Sequence, residues 1–182
     1  LDFYYICYDN EAYGNTGMQL SPATPYGART ATSPCSLQHP SGASQEKKDI
    51  FEIWRAHKPP YIATVAPRYP LDLEEKFARA AAFTGPKMFL MLAACPTGWL
   101  YDPGKTPEVA KLAVETGLWP LKEAINGVVT HTYVPKRKPV EAYLKLQGRF
   151  RHLFEPTVQT EAIQHIQARV DAYWERATRE GS

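Results

Sequence analysis

The chain has 182 residues, 44% of them hydrophobic and 22% charged, which suits one soluble α/β unit with a buried core. A net charge of +2 gives no reason to expect nucleic acid as a partner, no apolar run is long enough for a membrane span, and no signal-peptide pattern opens the sequence. Three cysteines, an odd number without paired spacing, do not suggest a disulfide framework, and a reducing cytoplasm is the simplest setting.

In chain order, Phe3-Tyr4-Tyr5-Ile6-Cys7 reads as a buried parallel strand over residues 3–8, with Cys7 in the core. Residues 9–46 form a long loop punctuated by Pro22, Pro25, Pro34 and Pro40, and structureless loops of that length are usually functional. The apolar stripe Ile50, Phe51, Ile53 and Trp54 predicts a helix over 47–57, and a strand follows at 60–65. Leu71 to Ala82 is a helix with Asp72, Glu74 and Glu75 in its early turns, ended by Gly85-Pro86 before a strand at 88–93. This alternation implies an α/β fold with a parallel sheet and right-handed crossovers. A further helix runs from Thr106, as N-cap, to Thr116, with Pro107 at its first position.

Asn126-Gly127 marks a turn between strands at 121–125 and 128–133. Lys136-Arg137-Lys138 follows as a solvated cationic loop, then a short helix over 139–149. Thr160 to Glu180 is amphipathic through Ile163, Ile166, Val170, Tyr173 and Trp174, and its apolar face packs either on this domain or on a partner chain. The division expected is an α/β part at 1–125 and a helical extension at 126–182.

The segment from Tyr8 to Gln19 carries most of the chemical information. It places Asp9, Asn10, Asn15, Thr16, Gly14 and Gly17 directly after a strand, where open α/β sheets bind ligands. Many oxygens and little bulk suit a hard cation such as Mg²⁺ shared with a phosphate-bearing cofactor. An ordinary Asn/Gly turn is the plain alternative.

Asp9-Asn10-Glu11-Ala12-Tyr13-Gly14-Asn15-Thr16-Gly17-Met18-Gln19, followed by Ser21-Pro22-Ala23-Thr24-Pro25, resembles the second half of the thiamine-diphosphate motif of 2-oxoacid:ferredoxin oxidoreductases. The resemblance is to the thiamine-binding, or beta, subunit and its parallel-sheet fold. It implies that Asn10 gives Mg²⁺ a side-chain oxygen and Ala12 a backbone carbonyl. Asp9, Tyr13, Thr16 and Gly17 would line the cofactor, and Asn15 would face its reactive end as the catalytic residue. The long loop could then cover the thiamine and touch a neighbouring subunit. Ala93-Ala94-Cys95-Pro96-Thr97-Gly98-Trp99 resembles the family segment whose cysteine is one of four ligands to the [4Fe–4S] cluster nearest the thiamine. Without the resemblance, a lone Cys before Pro reads as a buried apolar filler. Weaker echoes are Pro60–Val65, Tyr69–Leu73 and Ala113–Leu121, so the likeness covers about residues 3 to 125.

The family's Gly-Asp-Gly and its three other cluster cysteines do not occur in this sequence, and one Cys cannot hold a cubane that needs four thiolates. The chain therefore reads as the C-terminal portion of a thiamine-binding subunit, either as part of a longer chain or as a separate polypeptide; an opening on a core strand without Met favours the first. The function implied is oxidative decarboxylation of a 2-oxoacid to acyl-CoA and CO₂ with coenzyme A as co-substrate. Electrons would leave through [4Fe–4S] clusters to ferredoxin or another acceptor, within a complex that includes alpha, gamma and delta type subunits. Pyruvate is the first substrate expected, with aryl glyoxylates, oxalate and longer oxoacids open. The rivals are a non-redox thiamine decarboxylase or synthase, a non-catalytic assembly module, and an unrelated nucleotide-binding domain. The last lacks Gly-x-Gly-x-x-Gly or Gly-Lys-Ser/Thr support here.

Other residues draw plainer readings. Cys35 is incidental, Glu11 structural and Arg29 a surface residue with a rival role at a carboxylate. The rival role for Lys136-Arg137-Lys138 is docking an acidic ferredoxin or a coenzyme A phosphate. His39, His57, His131, His152 and His165 show no metal-ligand spacing and receive no catalytic role.

Overall fold

The computed structural model describes residues 1–36, 38 and 40–180. Strand β1 (Phe3–Asp9) leads into the long loop, then helix α1 (Ile50–Ala56), β2 (Tyr61–Val65), α2 (Pro70–Ala80) and β3 (Pro86–Leu92). Next come the short helix α3 (Pro96–Trp99), a 3-10 turn at Pro103–Lys105, and α4 (Thr106–Glu115). Hairpin strands β4 (Leu121–Ile125) and β5 (Val128–Tyr133), α5 (Glu141–Leu144), a 3-10 segment at Gly148–Leu153 and α6 (Thr160–Glu180) complete it.

The five strands lie in the order β1-β3-β2-β4-β5. β1, β3 and β2 are parallel, as the alternation predicts, and the β4–β5 hairpin joins the β2 edge antiparallel. Register places Asp9 opposite Leu92 and Val65 opposite Met91, so the three parallel strands end together at one edge of the sheet. That edge is where an α/β sheet presents its ligands.

One face of the sheet carries Tyr61, Ala63, Val65 and Phe89 against Ala80 and Phe77 of α2. The larger cluster joins Leu90 and Leu92 to Trp99, Trp119, Tyr143 and Phe150, and it includes Ile163, Ile166, Val170 and Trp174 of α6. The apolar face of α6 thus packs on this chain: Trp174 is 2% exposed and its Nε1 donates to the Gly117 carbonyl at 3.1 Å. Residue 125 itself lies within the β4–β5 hairpin.

Four local expectations change. Strand β1, expected to be buried, is an edge strand whose Phe3, Tyr4, Tyr5 and Tyr8 are exposed. Helix α1 starts at Ile50, capped by Asp49 Oδ1 accepting from Glu52 N at 3.1 Å, which frees Lys47 to turn inward from the loop. Thr106 does not cap α4; its hydroxyl donates back to the Pro103 carbonyl at 2.7 Å. The helix expected over 139–149 breaks after Leu144, because Gln147 is extended and Gly148 N donates to the Leu100 carbonyl at 2.9 Å. That break turns Gln147 and Arg149 into the interior.

Candidate functional site

The residues after β1 fold into a tight double turn. Asn10 Oδ1 accepts from Ala12 N at 3.3 Å, and Tyr13 and Gln19 form an isolated antiparallel bridge closed by Tyr13 N to the Gln19 carbonyl at 3.1 Å. Gly17 N donates to the Gly14 carbonyl at 3.1 Å within it. Thr24, fully buried, donates its hydroxyl to the Glu11 carbonyl at 2.7 Å and accepts from Ser21 N at 3.0 Å, so the Ser-x-x-Thr pair acts as a clip. Asn15, Thr16 and Gly17 are left exposed at the tip, and the Asn15 side chain carries no hydrogen bond to another described residue.

Cys95 stands just past the end of β3, beside this loop, because Ala93 N donates to the Asp9 carbonyl at 3.0 Å. It is the N-cap of α3, with its Sγ accepting from Gly98 N at 3.4 Å. Trp99 locks the two motifs together: it is fully buried and its Nε1 donates to the Asn10 carbonyl at 2.9 Å.

Under the loop lies a buried charge cluster. Lys47 Nζ is 2.6 Å from Asp9 Oδ2 and 2.8 Å from Glu11 Oε1, and Arg149 Nη2 is 2.6 Å from Glu11 Oε2. Asp9 also accepts from Glu11 N at 2.9 Å, so its carboxylate faces inward rather than toward the loop tip. Burial pushes the Asp9 carboxyl above its ordinary range despite Lys47. At Glu11 burial acts the same way, but Lys47 and Arg149 together outweigh it and hold the carboxyl low.

The donor chemistry fits the groups the motifs imply. Asn10 Oδ1 and the Ala12 carbonyl are hard oxygens of the kind Mg²⁺ takes, and no described donor reaches the Ala12 carbonyl. A Cβ on Gly14 would stand 2.6 Å from Asn10 Nδ2, so glycine there gives the Asn10 amide its room. Cys95 offers one thiolate, and among the described residues no group of three or more His, Cys, Asp or Glu could hold a metal. Cys7 is half-buried against the core and its thiol is pushed up by burial, while Cys35 is a half-buried loop residue.

Among the histidines, His131 meets Tyr173, His152 the Ser41 carbonyl and His165 Glu46, all structural contacts; His57 is an exposed cap of α1, and His39 lies outside the described residues. Lys138 and Arg137 reach Glu115 and Asp171 of this chain at 2.7 and 4.0 Å. Arg29 is exposed beside a surface cavity of about 800 Å³ shared with Arg151 and His152. Thr24 and Trp99 stand in the sequence motifs without an assigned role, whereas Lys47 and Arg149 give no sequence signal and are found only through their ion pairs with Asp9 and Glu11.

Residues 1–90 match the family described as thiamine pyrophosphate enzyme, C-terminal TPP binding domain. The chain belongs to the thiamine pyrophosphate enzyme family. Within that family it is 48% identical to the pyruvate synthase subunit PorB of Methanocaldococcus jannaschii, over 93% of this chain and 55% of that protein. It is 43% identical to the ketoisovalerate oxidoreductase subunit VorB of Pyrococcus abyssi, over 96% of this chain and 55% of that protein. The chain thus spans about half the length of the curated relatives it matches. A 2-oxoglutarate:ferredoxin oxidoreductase from Magnetococcus marinus, solved with 2-oxoglutarate, coenzyme A and succinyl-CoA, shows a distant likeness. Its TM-score is 0.43 at 19% identity, over 59% of this chain and 42% of that one. Among the described residues no helix is long and apolar enough to cross a membrane.

Proposed function

We propose that this chain is the cofactor-facing part of the thiamine-binding subunit of a 2-oxoacid oxidoreductase, with pyruvate as the leading substrate. The observation that carries the reading is the meeting of the Asn10–Gly17 loop and Cys95 at one sheet edge, tied by the 2.9 Å bond from Trp99 to the Asn10 carbonyl. The similarity to PorB and VorB subunits supports a 2-oxoacid, and the PorB relatives favour pyruvate over a branched chain.

When bound, thiamine diphosphate with Mg²⁺ supplies the nucleophile for the keto carbon, and a [4Fe–4S] cluster supplies the exit for electrons. Asn10 Oδ1 and the Ala12 carbonyl would hold Mg²⁺, with Tyr13, Thr16 and Gly17 shaping the diphosphate side. Asp9 acts from beneath, fixing the turn through Glu11 N. The free amide of Asn15 would hydrogen-bond the oxygen on which charge develops, a preorganised dipole at the reacting centre. Cys95 would give one thiolate to the cluster, its sulfur held by Gly98 N. A [4Fe–4S] cluster needs three further thiolates and Mg²⁺ further oxygens, which would come from elsewhere in the complex. Coenzyme A as acyl acceptor, ferredoxin as electron acceptor and a cytoplasmic setting complete the proposal.

The test is anaerobic viologen reduction by the complex containing this chain, with pyruvate, 2-oxoisovalerate and 2-oxoglutarate, each with and without coenzyme A. Coenzyme A-dependent reduction with pyruvate is expected. Thiamine without bound iron would place the complex among non-redox thiamine enzymes, and no thiamine at all would overturn the reading.

A further inference from the structure

Four charged side chains from three distant stretches of the chain converge beneath the cofactor loop. Asp9 and Glu11 follow β1, Lys47 comes from the end of the long loop, and Arg149 comes from the 3-10 segment 138 residues beyond Glu11. Their side chains are 3% exposed at Asp9, 8% at Glu11 and 3% at Arg149, with Lys47 at 24% closing the cluster toward solvent. Two anions and two cations balance, as buried charges must.

Arg149 touches both cofactor motifs. One face of its guanidinium lies 3.9 Å from the centre of the Trp99 ring, and its Nη2 bonds Glu11. Its Nε donates to Gln147 Oε1 at 2.9 Å, and the same Nη2 reaches the Tyr143 hydroxyl at 3.3 Å. Glu11 sits at φ 62, a conformation L residues rarely adopt. It is held there by Lys47 and Arg149 at its carboxylate and by Thr24 at its carbonyl. Buried ion pairs often add little net stability over well-packed apolar side chains, and their best-attested use is to impose one geometry.

We propose that Arg149 and Lys47 are positioning residues: they clamp the Asp9–Glu11 turn and Trp99, and thereby fix the Asn10–Gly17 loop relative to Cys95. The inference rests on the thiamine reading for its chemical meaning, while the clamp itself is a statement about this chain alone. Through it, the C-terminal third of the chain takes part in the cofactor site.

The experiment uses the full complex with Arg149→Lys and with the charge-neutral pair Glu11→Gln/Arg149→Met, which avoids an unpaired buried charge. Amide hydrogen exchange is read at residues 10–19 and 96–99, alongside the dissociation constant for thiamine diphosphate and the KM for the oxoacid. Exchange in both segments should rise together in the neutral pair, and thiamine affinity should weaken about 10–100-fold, as for groups that orient ligands. Arg149→Lys keeps the charge but not the planar stacking, so it should recover part of both effects. Loosening confined to residues 148–153, or unchanged thiamine affinity, would overturn the proposal. A wild-type complex that binds no thiamine diphosphate would overturn the proposed function instead, and exchange alone then decides the clamp.

Discussion

Met18 and Gly98 lie so close that no methyl group fits between them: a Cβ on Gly98 would stand 2.0 Å from Met18 Cε and 2.4 Å from its Sδ. Met18 belongs to the asparagine loop and Gly98 to the helix capped by Cys95, so this contact sets how near the two motifs approach.

Gly98→Ala tests that contact. The thioether end can swing aside, but Met18 Cγ at 3.1 Å limits the escape. A loss of about 1–3 kcal/mol is expected in thermal or urea unfolding, typical of overpacking. Adding Met18→Ala should recover part of it, with a coupling of about 0.5–3 kcal/mol between the two sites. Additive losses would show that the motifs are held apart by something else.

Asn15→Ala removes an exposed amide that makes no bond within the described chain, so folding should be unaffected. If the amide stabilises developing charge, turnover should drop about 100-fold or more while thiamine stays bound. Near-normal turnover in a thiamine-loaded complex would remove Asn15 from the catalytic role.

The parallel strands, the hairpin turn at Asn126-Gly127 and the placement of Cys95 at a strand end were legible because each has a local cause: apolar runs, turn chemistry and alternation. The clamp was not legible. Arg149 lies in a stretch with helical composition, and what bends it inward is one backbone bond to Leu100, a contact no local pattern encodes. Lys47 falls at the start of the helix expected over 47–57, yet the Asp49 cap starts the helix after it. Burial of α6 was half legible: periodicity shows an apolar face but not which surface receives it.

His152 gives a pH dependence with a definite sign. Burial lowers its pKa from 6.5, and the bond to the Ser41 carbonyl only partly offsets this. The unfolded chain therefore takes up the proton first as pH falls through 6.5. The stability from neutral His152 is present above that pH and is lost below it, until the folded-state pKa is passed. Urea unfolding between about pH 7.5 and 5 should show declining stability in the wild type and a flatter profile in His152→Gln. An equal slope in both would assign the decline to other groups.

Trp174 decides what α6 is for. It is 2% exposed, contacts His131 and Tyr173, and donates to the Gly117 carbonyl just beyond α4. Trp174→Ala should cost about 3–5 kcal/mol of this chain's own stability, as for buried aromatics elsewhere. Trp174→Phe keeps most of the packing and loses the indole donor, leaving a buried carbonyl unpaired at about 1–3 kcal/mol. If α6 served chiefly to hold a partner chain, the pattern would invert: subunit assembly would weaken while urea unfolding of this chain stayed at the wild-type midpoint. The graded loss, Ala beyond Phe, is what a helix built into this chain's own core predicts.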